Sequence, residues 1–249
     1  DSAGARPPTA TATVRRIYTR SAWSLTETMP REQYQTKLEA LRDDVLYMSE
    51  LVADRLRTAL DALARHDAAL GETVITGDTE VNELYLELEQ RCTDLIALQQ
   101  PVAGDLRFIA ASFKIITDLE RIADLATNLG RYAGQADHEV SPDVDVQQIG
   151  DDTLEMLDLA MTAYGESDPD RCYTVASRDD DVDAACEAAS DHVVRDLIES
   201  DYAADPETTM EHVSRLLLTV RDLERVGDHA VNIAARALYM IENDDELLY

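Results

Sequence analysis

The sequence predicts an all-α fold: two tandem three-helix bundles, six long helices in all, related by internal pseudo-symmetry. Three observations carry that prediction. Ala, Leu, Glu, Asp and Arg dominate the 249 residues, and only 9 Gly and 7 Pro punctuate them; Ala, Leu, Glu and Arg lose little conformational freedom in a helix. Apolar residues recur at steps of three, four and seven, the period of a helix with one buried face. One twelve-residue segment late in the first half returns late in the second, as a duplicated unit would.

The first predicted helix carries Leu38, Leu41, Val45, Met48, Val52, Ala59 and Leu63. It starts near Pro30, where a fixed φ is tolerated, and is closed by Gly71. The second carries Val81, Leu84, Leu88, Cys92 and Leu95 and stops at Pro101. The third runs through Leu106, Ile109, Phe113, Ile116, Ala123, Ala126 and Leu129 to Gly134. A loop from Gln135 to Asp145 contains Pro142. The fourth helix carries Leu154, Leu157, Met161 and Tyr164 and ends at Gly165, with Pro169 beyond. The fifth carries Val182, Ala185, Ala189, Val193 and Leu197. Pro206 opens the sixth, which continues through Val213, Leu217, Val220, Leu223, Ala230, Ala234, Ala237 and Ile241. Short connections between long helices favour antiparallel packing. The expected division is an N-terminal extension over residues 1–28, a first bundle over 29–137 and a second over 138–249.

Composition narrows the function. The 22 basic residues against 51 acidic ones leave a net charge of −29, and only Lys37 and Lys114 are lysines. A carboxylate-rich surface stays soluble where salt screens its self-repulsion, as in halophilic archaea. A sink for a basic partner or for cations is the other reading. Neither suits nucleic acid, whose phosphates need Lys and Arg clusters. Cys92, Cys172 and Cys186 lack metal-ligand spacing and fit reduced thiols in a cytoplasmic protein. No apolar run approaches the roughly 18 residues of a membrane span. Residues 1–28 are rich in Ala, Thr, Ser and Pro, and their Arg15–Arg16 pair is followed by no apolar core. They read as a flexible extension rather than a signal, with Met29 a plausible initiator.

The repeated segment carries the chemistry. Residues 118–129 read Asp-Leu-Glu-Arg-Ile-Ala-Asp-Leu-Ala-Thr-Asn-Leu, and residues 222–233 read Asp-Leu-Glu-Arg-Val-Gly-Asp-His-Ala-Val-Asn-Ile. Glu120, Asp124 and Asn128, like Glu224, Asp228 and Asn232, fall at four-residue steps. Each set forms a row on one helix face beside the apolar stripe. Carboxylates so spaced repel by a few tenths of a kcal/mol. A like pair kept in both copies points to a cation over it, and oxygen donors suit iron, manganese, magnesium or calcium. A weaker echo, Asp78-Thr-Glu-Val-Asn82 against Asp179-Asp-Asp-Val-Asp183, adds Asp78, Asn82, Asp179 and Asp183 as candidate ligands. Arg121 and Arg225 are supporting residues; as salt-bridge partners across the bundle they would make each row a polar seam instead. His229, opposite Leu125 in the first copy, reads as a surface or seam histidine.

At these residues the chain resembles the PhoU family of phosphate-uptake regulators. The resemblance rests on Leu119 to Asp124 with Asn128, on Leu223 to Ile233, on Gln100-Pro-Val-Ala-Gly-Asp-Leu-Arg107 and on Asp78 to Asn82, and spans about residues 31–242. It implies two symmetric three-helix bundles whose motifs bind metal ions or a multinuclear cluster of iron or another transition metal. Glu120, Asp124, Glu224 and Asp228 come first as ligands; Asp78, Asn82, Asp179 and Asp183 come second. It also implies a cytoplasmic, non-enzymatic adaptor. Its partners would be the ATPase subunit of the phosphate ABC transporter or a sensor or regulator protein. It would repress when phosphate is plentiful, form homodimers or higher oligomers, and meet the membrane only through partners. Departures are Ala123 in place of the glycine expected after Ile122, and Asn82 in place of a carboxylate. A carboxylate-bridged metalloenzyme and a metal-free scaffold are the competing expectations; the first would need Glu-x-x-His on the motif helices, and neither has it.

Overall fold

Residues 31–98, 101–134, 145–199 and 206–248 are described by a computed structural model of the chain. The expected extension 1–28, the loop 135–144 and the bundle boundary within it lie outside the described residues. Among the described residues seven α-helices follow one another: α1 (Arg31–Arg65), α2 (Ala68–Thr76), α3 (Asp78–Leu98), α4 (Ala103–Ala133), α5 (Val146–Glu166), α6 (Pro169–Glu199) and α7 (Pro206–Glu242), then a 3-10 turn, Glu246–Leu248. No strand occurs among the described residues.

The helix boundaries have local causes. The Asp67 carboxylate accepts hydrogen bonds from the Ala69 and Leu70 amides at the start of α2, and Asp145 accepts one from Gln148 at the start of α5. Prolines 169 and 206 open α6 and α7, where a missing N–H costs nothing. Two expected stops are displaced. α1 ends at Arg65, with His66 left-handed at φ 51, and Gly71 lies inside the additional helix α2. Gly71 serves packing there: a side chain on it would strike the Gly130 carbonyl of α4. α5 runs past Gly165 to Glu166, and left-handed Ser167 (φ 58) closes it.

His66 and Ser167 set the register of the duplication. They lie 101 residues apart, and the same shift superposes α1 on α5 and α2 with α3 on α6. Met48, Val52, Leu56, Ala59 and Leu60 then correspond to Ile149, Thr153, Leu157, Ala160 and Met161, all buried. A shift of 104 superposes α4 on α7, with Leu119, Ile122, Ala126 and Leu129 matching Leu223, Val226, Ala230 and Ile233, again all buried. α6 is one helix where the first repeat has two, divided only at Gly77, whose φ −73 and ψ −7 are nearly helical. The seven helices therefore reduce to the six expected.

α1, α3 and α4 pack together, as do α5, α6 and α7, while α4 packs on α7 and α1 on α5. Each helix of the inter-repeat contact thus meets its own counterpart, as a pseudo-two-fold requires. Both pairs run antiparallel. Arg42 early in α1 donates to the Gly165 carbonyl late in α5, and Leu60 late in α1 lies at Gly150 early in α5. One apolar cluster continues through both repeats, each fully buried Leu or Ile contributing roughly 1.5–3 kcal/mol.

The α2–α4 approach makes a prediction. A Cβ on Gly130 would sit 2.9 Å from the Gly71 carbonyl oxygen, whereas one on Gly104 meets nothing within 4 Å. Gly130→Ala should cost about 1–3 kcal/mol in urea denaturation. Gly104→Ala should be neutral or stabilising by up to about 1 kcal/mol. Equal stability of the two variants would show that the two backbones do not meet.

Candidate functional site

The α4 row forms a first patch with the start of α3. Arg55 of α1 reaches into it: its Nη2 donates to the Val74 carbonyl at 2.7 Å and to Asp78 Oδ1 at 3.3 Å. Thr127 donates to the same oxygen at 3.4 Å, and Asn82 donates to Asp78 Oδ2 at 2.8 Å. The Arg55 side chain is only 13% exposed, and burial pushes its pKa down while Asp78 and Glu80 hold it up. Burial raises the Glu120 carboxyl above its ordinary range, with Asp124 and Asp78 adding to the rise and Arg121 and His229 opposing it. Arg121 lies 3.5 Å from Glu120 and 3.7 Å from Asp124. It bridges its own row along the helix rather than across the bundle.

The α7 row forms a second patch with α6. Asp179 is pushed up to about 6, first by burial and then by Asp183, Asp228, Asp180 and Glu224. Its Oδ1 is shut off from solvent and has no hydrogen-bond partner. Burial raises Glu224 too, with Asp183 and Asp228 reinforcing. Asp228 is raised by burial and Asp183, against His229 and Arg225. Four carboxylates therefore feel one another here. Among the described residues no three His, Cys, Asp or Glu side chains draw together tightly enough to hold a metal ion as they stand; unscreened like charges keep apart. Ala123, which takes the place of the expected glycine, fits in the core at 1% exposure.

The supporting residues go elsewhere. Asn128 donates to Asp222 Oδ2 at 3.3 Å and accepts from Arg131 at 2.6 Å. Asn232 is exposed. Arg225 lies 3.9 Å from Asp222 on its own helix. Sequence reasoning missed what Asp222 does. It is fully buried and accepts from Tyr132 at 2.9 Å across the seam, besides Asn128, and from Arg221 at 2.7 and 3.1 Å. Its counterpart Asp118 lies 2.9 Å from His229 Nδ1 of α7. The two opening aspartates of the repeated segment thus hold the α4–α7 seam from both sides. Their recurrence was the available signal; Tyr132 and His229 are matched by Arg236 and Leu125, so the repeat did not mark them. The Gly104–Asp105 stretch lines a groove of about 330 Å³ with Gln35, Glu39 and Arg42, and Asp105 pairs with Arg31 at 2.6 Å.

The sequence family described as "PhoU domain" matches residues 45–133 and 146–237, and the two matched segments begin 101 residues apart, in the register of the fold. The chain is 33% identical over 217 residues to the phosphate-specific transport system accessory protein PhoU homolog of Pseudomonas putida, covering 86% of this chain and 82% of that one. To the PhoU homolog 1 of Methanothermobacter thermautotrophicus it is 33% identical over 215 residues, covering 85% and 95%. The crystal structure of PhoU from Pseudomonas aeruginosa superposes with a TM-score of 0.79 at 32% identity, over 85% of this chain and 100% of that one. PhoU from Streptococcus pneumoniae, at 24% identity and a TM-score of 0.78, shares the fold over 85% of this chain and 98% of that one.

The seam has a pH signature. Burial and the bond to Asp222 push the Tyr132 phenol up to about 12. The fold favours the neutral phenol, so its stabilisation is whole below the unfolded value of roughly 10 and fades as pH climbs toward 12. Tyr132→Phe should cost about 1–3 kcal/mol at neutral pH, and the gap to wild type should close between those two pH values. Urea denaturation from pH 7 to 12 checks this; a gap independent of pH would contradict it.

Proposed function

This chain belongs to the PhoU family, and from that premise we propose that it is a regulatory accessory of phosphate transport, a cation-bearing adaptor rather than an enzyme. The observation that carries the reading is the family match over both repeats. Relatives of like length are named accessory proteins of the phosphate-specific transport system. The adaptor acts from the cytoplasmic side on the transporter ATPase or on a sensor or regulator protein, and restrains uptake or signalling when phosphate is abundant. No helix among the described residues is long and apolar enough to cross a membrane, so the membrane is met through that partner. Chemistry in the described residues favours a scaffold. The three thiols are buried, with Cys92 and Cys186 pushed up to about 12 and Cys172 to about 11, first by burial, and a thiol so placed is a poor nucleophile.

The carboxylate rows are where the cation belongs in this reading. Asp179, Asp183, Glu224 and Asp228 would hold it in the second repeat; Asp78, Asn82, Glu120 and Asp124 are the corresponding set in the first. The orphaned Asp179 oxygen and the mutual repulsion around it fit a hard or borderline cation with oxygen donors. Such an ion, when bound, supplies positive charge that lets the carboxylates ionise side by side.

Two outcomes test the proposal. Tagged protein recovered from native cells grown in high phosphate should bring down a transporter ATPase or a sensor protein, and deleting its gene should leave uptake unrestrained. Recovery of neither at high or low phosphate, with uptake unchanged, would overturn the adaptor. Replacing Glu120, Asp124, Glu224 and Asp228 with Ala should strip metal from the purified protein; unchanged elemental content would remove the cation from the reading.

A further inference from the structure

The two carboxylate patches occupy equivalent places in the duplication, yet the side chains around them are not equivalent. The shift of 101 residues pairs Arg55 with Met156, Gly77 with Arg178, Asp78 with Asp179 and Asn82 with Asp183. In the first repeat the Arg55 guanidinium is held against Asp78 at 3.3 Å. Gly77 leaves it room, since a Cβ there would lie 2.8 Å from Arg55 Nη1. In the second repeat the Met156 methyl and Asp179 Oδ1 share the space beside Gly227, at 3.7 and 3.4 Å from where its Cβ would be. A thioether carries no charge and donates no hydrogen bond.

Nor does a neighbouring cation reach the unpartnered Asp179 Oδ1. Arg178 turns to Glu155, with two contacts of 2.7 Å. Arg225 leans toward Asp222 and His229 toward Asp118. The first patch therefore combines three carboxylates, an amide and a resident guanidinium, and Arg121 bridges two of those carboxylates. The second combines four carboxylates, with a thioether rather than a guanidinium near Asp179 and one buried oxygen unpartnered.

We infer that Arg55 is a built-in cation that takes the place of a metal ion in the first repeat, so that only the patch at Asp179 binds one from solution. This rests on the reading that the rows are cation sites and narrows it to one of the two. The guanidinium meets the charge requirement of Asp78 from within the fold, and an incoming divalent ion would be repelled by it at close range. In the second repeat the same requirement is open.

Mn²⁺ binding to chelator-stripped full-length protein, followed by elemental analysis and by the thermal shift on Mn²⁺ addition, tests the assignment. Asp179→Asn with Asp183→Asn should lower Mn²⁺ affinity more than about tenfold and abolish the thermal shift. Asp78→Asn with Glu120→Gln should leave both unchanged. Met156→Arg with Arg178→Gly should abolish binding, because the two changes together recreate the guanidinium of the first repeat and the space that Gly77 leaves for it. Arg55→Met should add a second equivalent of Mn²⁺; if either of these variants does not fold, the isosteric amide variants still decide. Equal loss of Mn²⁺ from the two amide pairs, or undiminished binding in Met156→Arg with Arg178→Gly, would overturn the role of Arg55 and leave the cation-site reading standing. No Mn²⁺ bound by wild type would instead overturn the cation-site reading beneath it.

Discussion

α4 and α7 lie antiparallel through the centre of the molecule, and the rest of the fold is arranged around that contact. Leu119, Ile122 and Ala126 of one helix and Leu223, Val226 and Ala230 of the other are wholly buried. Each contributes in proportion to the apolar area it removes from water. Hydrophobic contact alone would let two such helices slide, because it has no direction. Asp222 supplies direction. Its carboxylate is fully buried, and leaving it unpaired would cost several kcal/mol, so it fixes Tyr132 and Asn128 of the facing helix in one register. The Asp118–His229 pair does the same on the other side of the crossing. The carboxylate rows sit beside this seam on the same two helices, so their position is set by the contact that joins the repeats.

The magnitudes explain why a chain of net charge −29 keeps like charges adjacent at so central a place. A carboxylate pair four residues apart on an exposed helix face costs a few tenths of a kcal/mol. The apolar residues packed just inward, Val182, Cys186 and Val226 among them, contribute roughly 1.5–3 kcal/mol each for the larger side chains. Repulsion at the edge therefore does not open the helices; it adds to burial, the larger cause, in raising the carboxyl pKa values of Asp179, Glu224 and Asp228. Exposed ion pairs such as Arg57 with Asp54 at 2.6 Å add at most about 1 kcal/mol; they soften the surface field more than they hold the fold.

Helix periodicity and the duplicated segment were legible because each is a one-dimensional pattern. Leu119, Ile122, Leu223 and Val226 announce a buried face by spacing alone. Gly71 was misread because one letter serves two physical needs. A glycine can end a helix, or it can let two backbones touch, and only the presence of Gly130 opposite distinguishes them. Ser167 closed α5 in the left-handed conformation without being a glycine or an asparagine, so no residue-type rule pointed to it. Asp118 and Asp222 stood in plain view as repeated residues. Their partners, Tyr132 and His229, break the repeat and lie about 90 to 111 positions away, a separation that no local pattern bridges. Asn128 looked like the third member of the Glu120 row because of spacing, yet its amide turns to Asp222.

Arg55 shows the same limit and what lies beyond it. Nothing in its own segment marks it: it stands in a run of ordinary charged and apolar residues in α1. Its meaning depends on Asp78, which it neutralises, and on Gly77, which makes space for it. In the other repeat the corresponding three positions hold Met156, Asp179 and Arg178. These are linked choices. An arginine at position 178 has the room to turn outward to Glu155 because position 156 is a methionine, whereas the guanidinium of Arg55 would meet any side chain at position 77. A duplicated helical unit with two identical acidic rows can thus separate its copies by changing residues outside the rows. The rows record the common origin of the two bundles, and the residues packed beneath them determine what charge each row still requires.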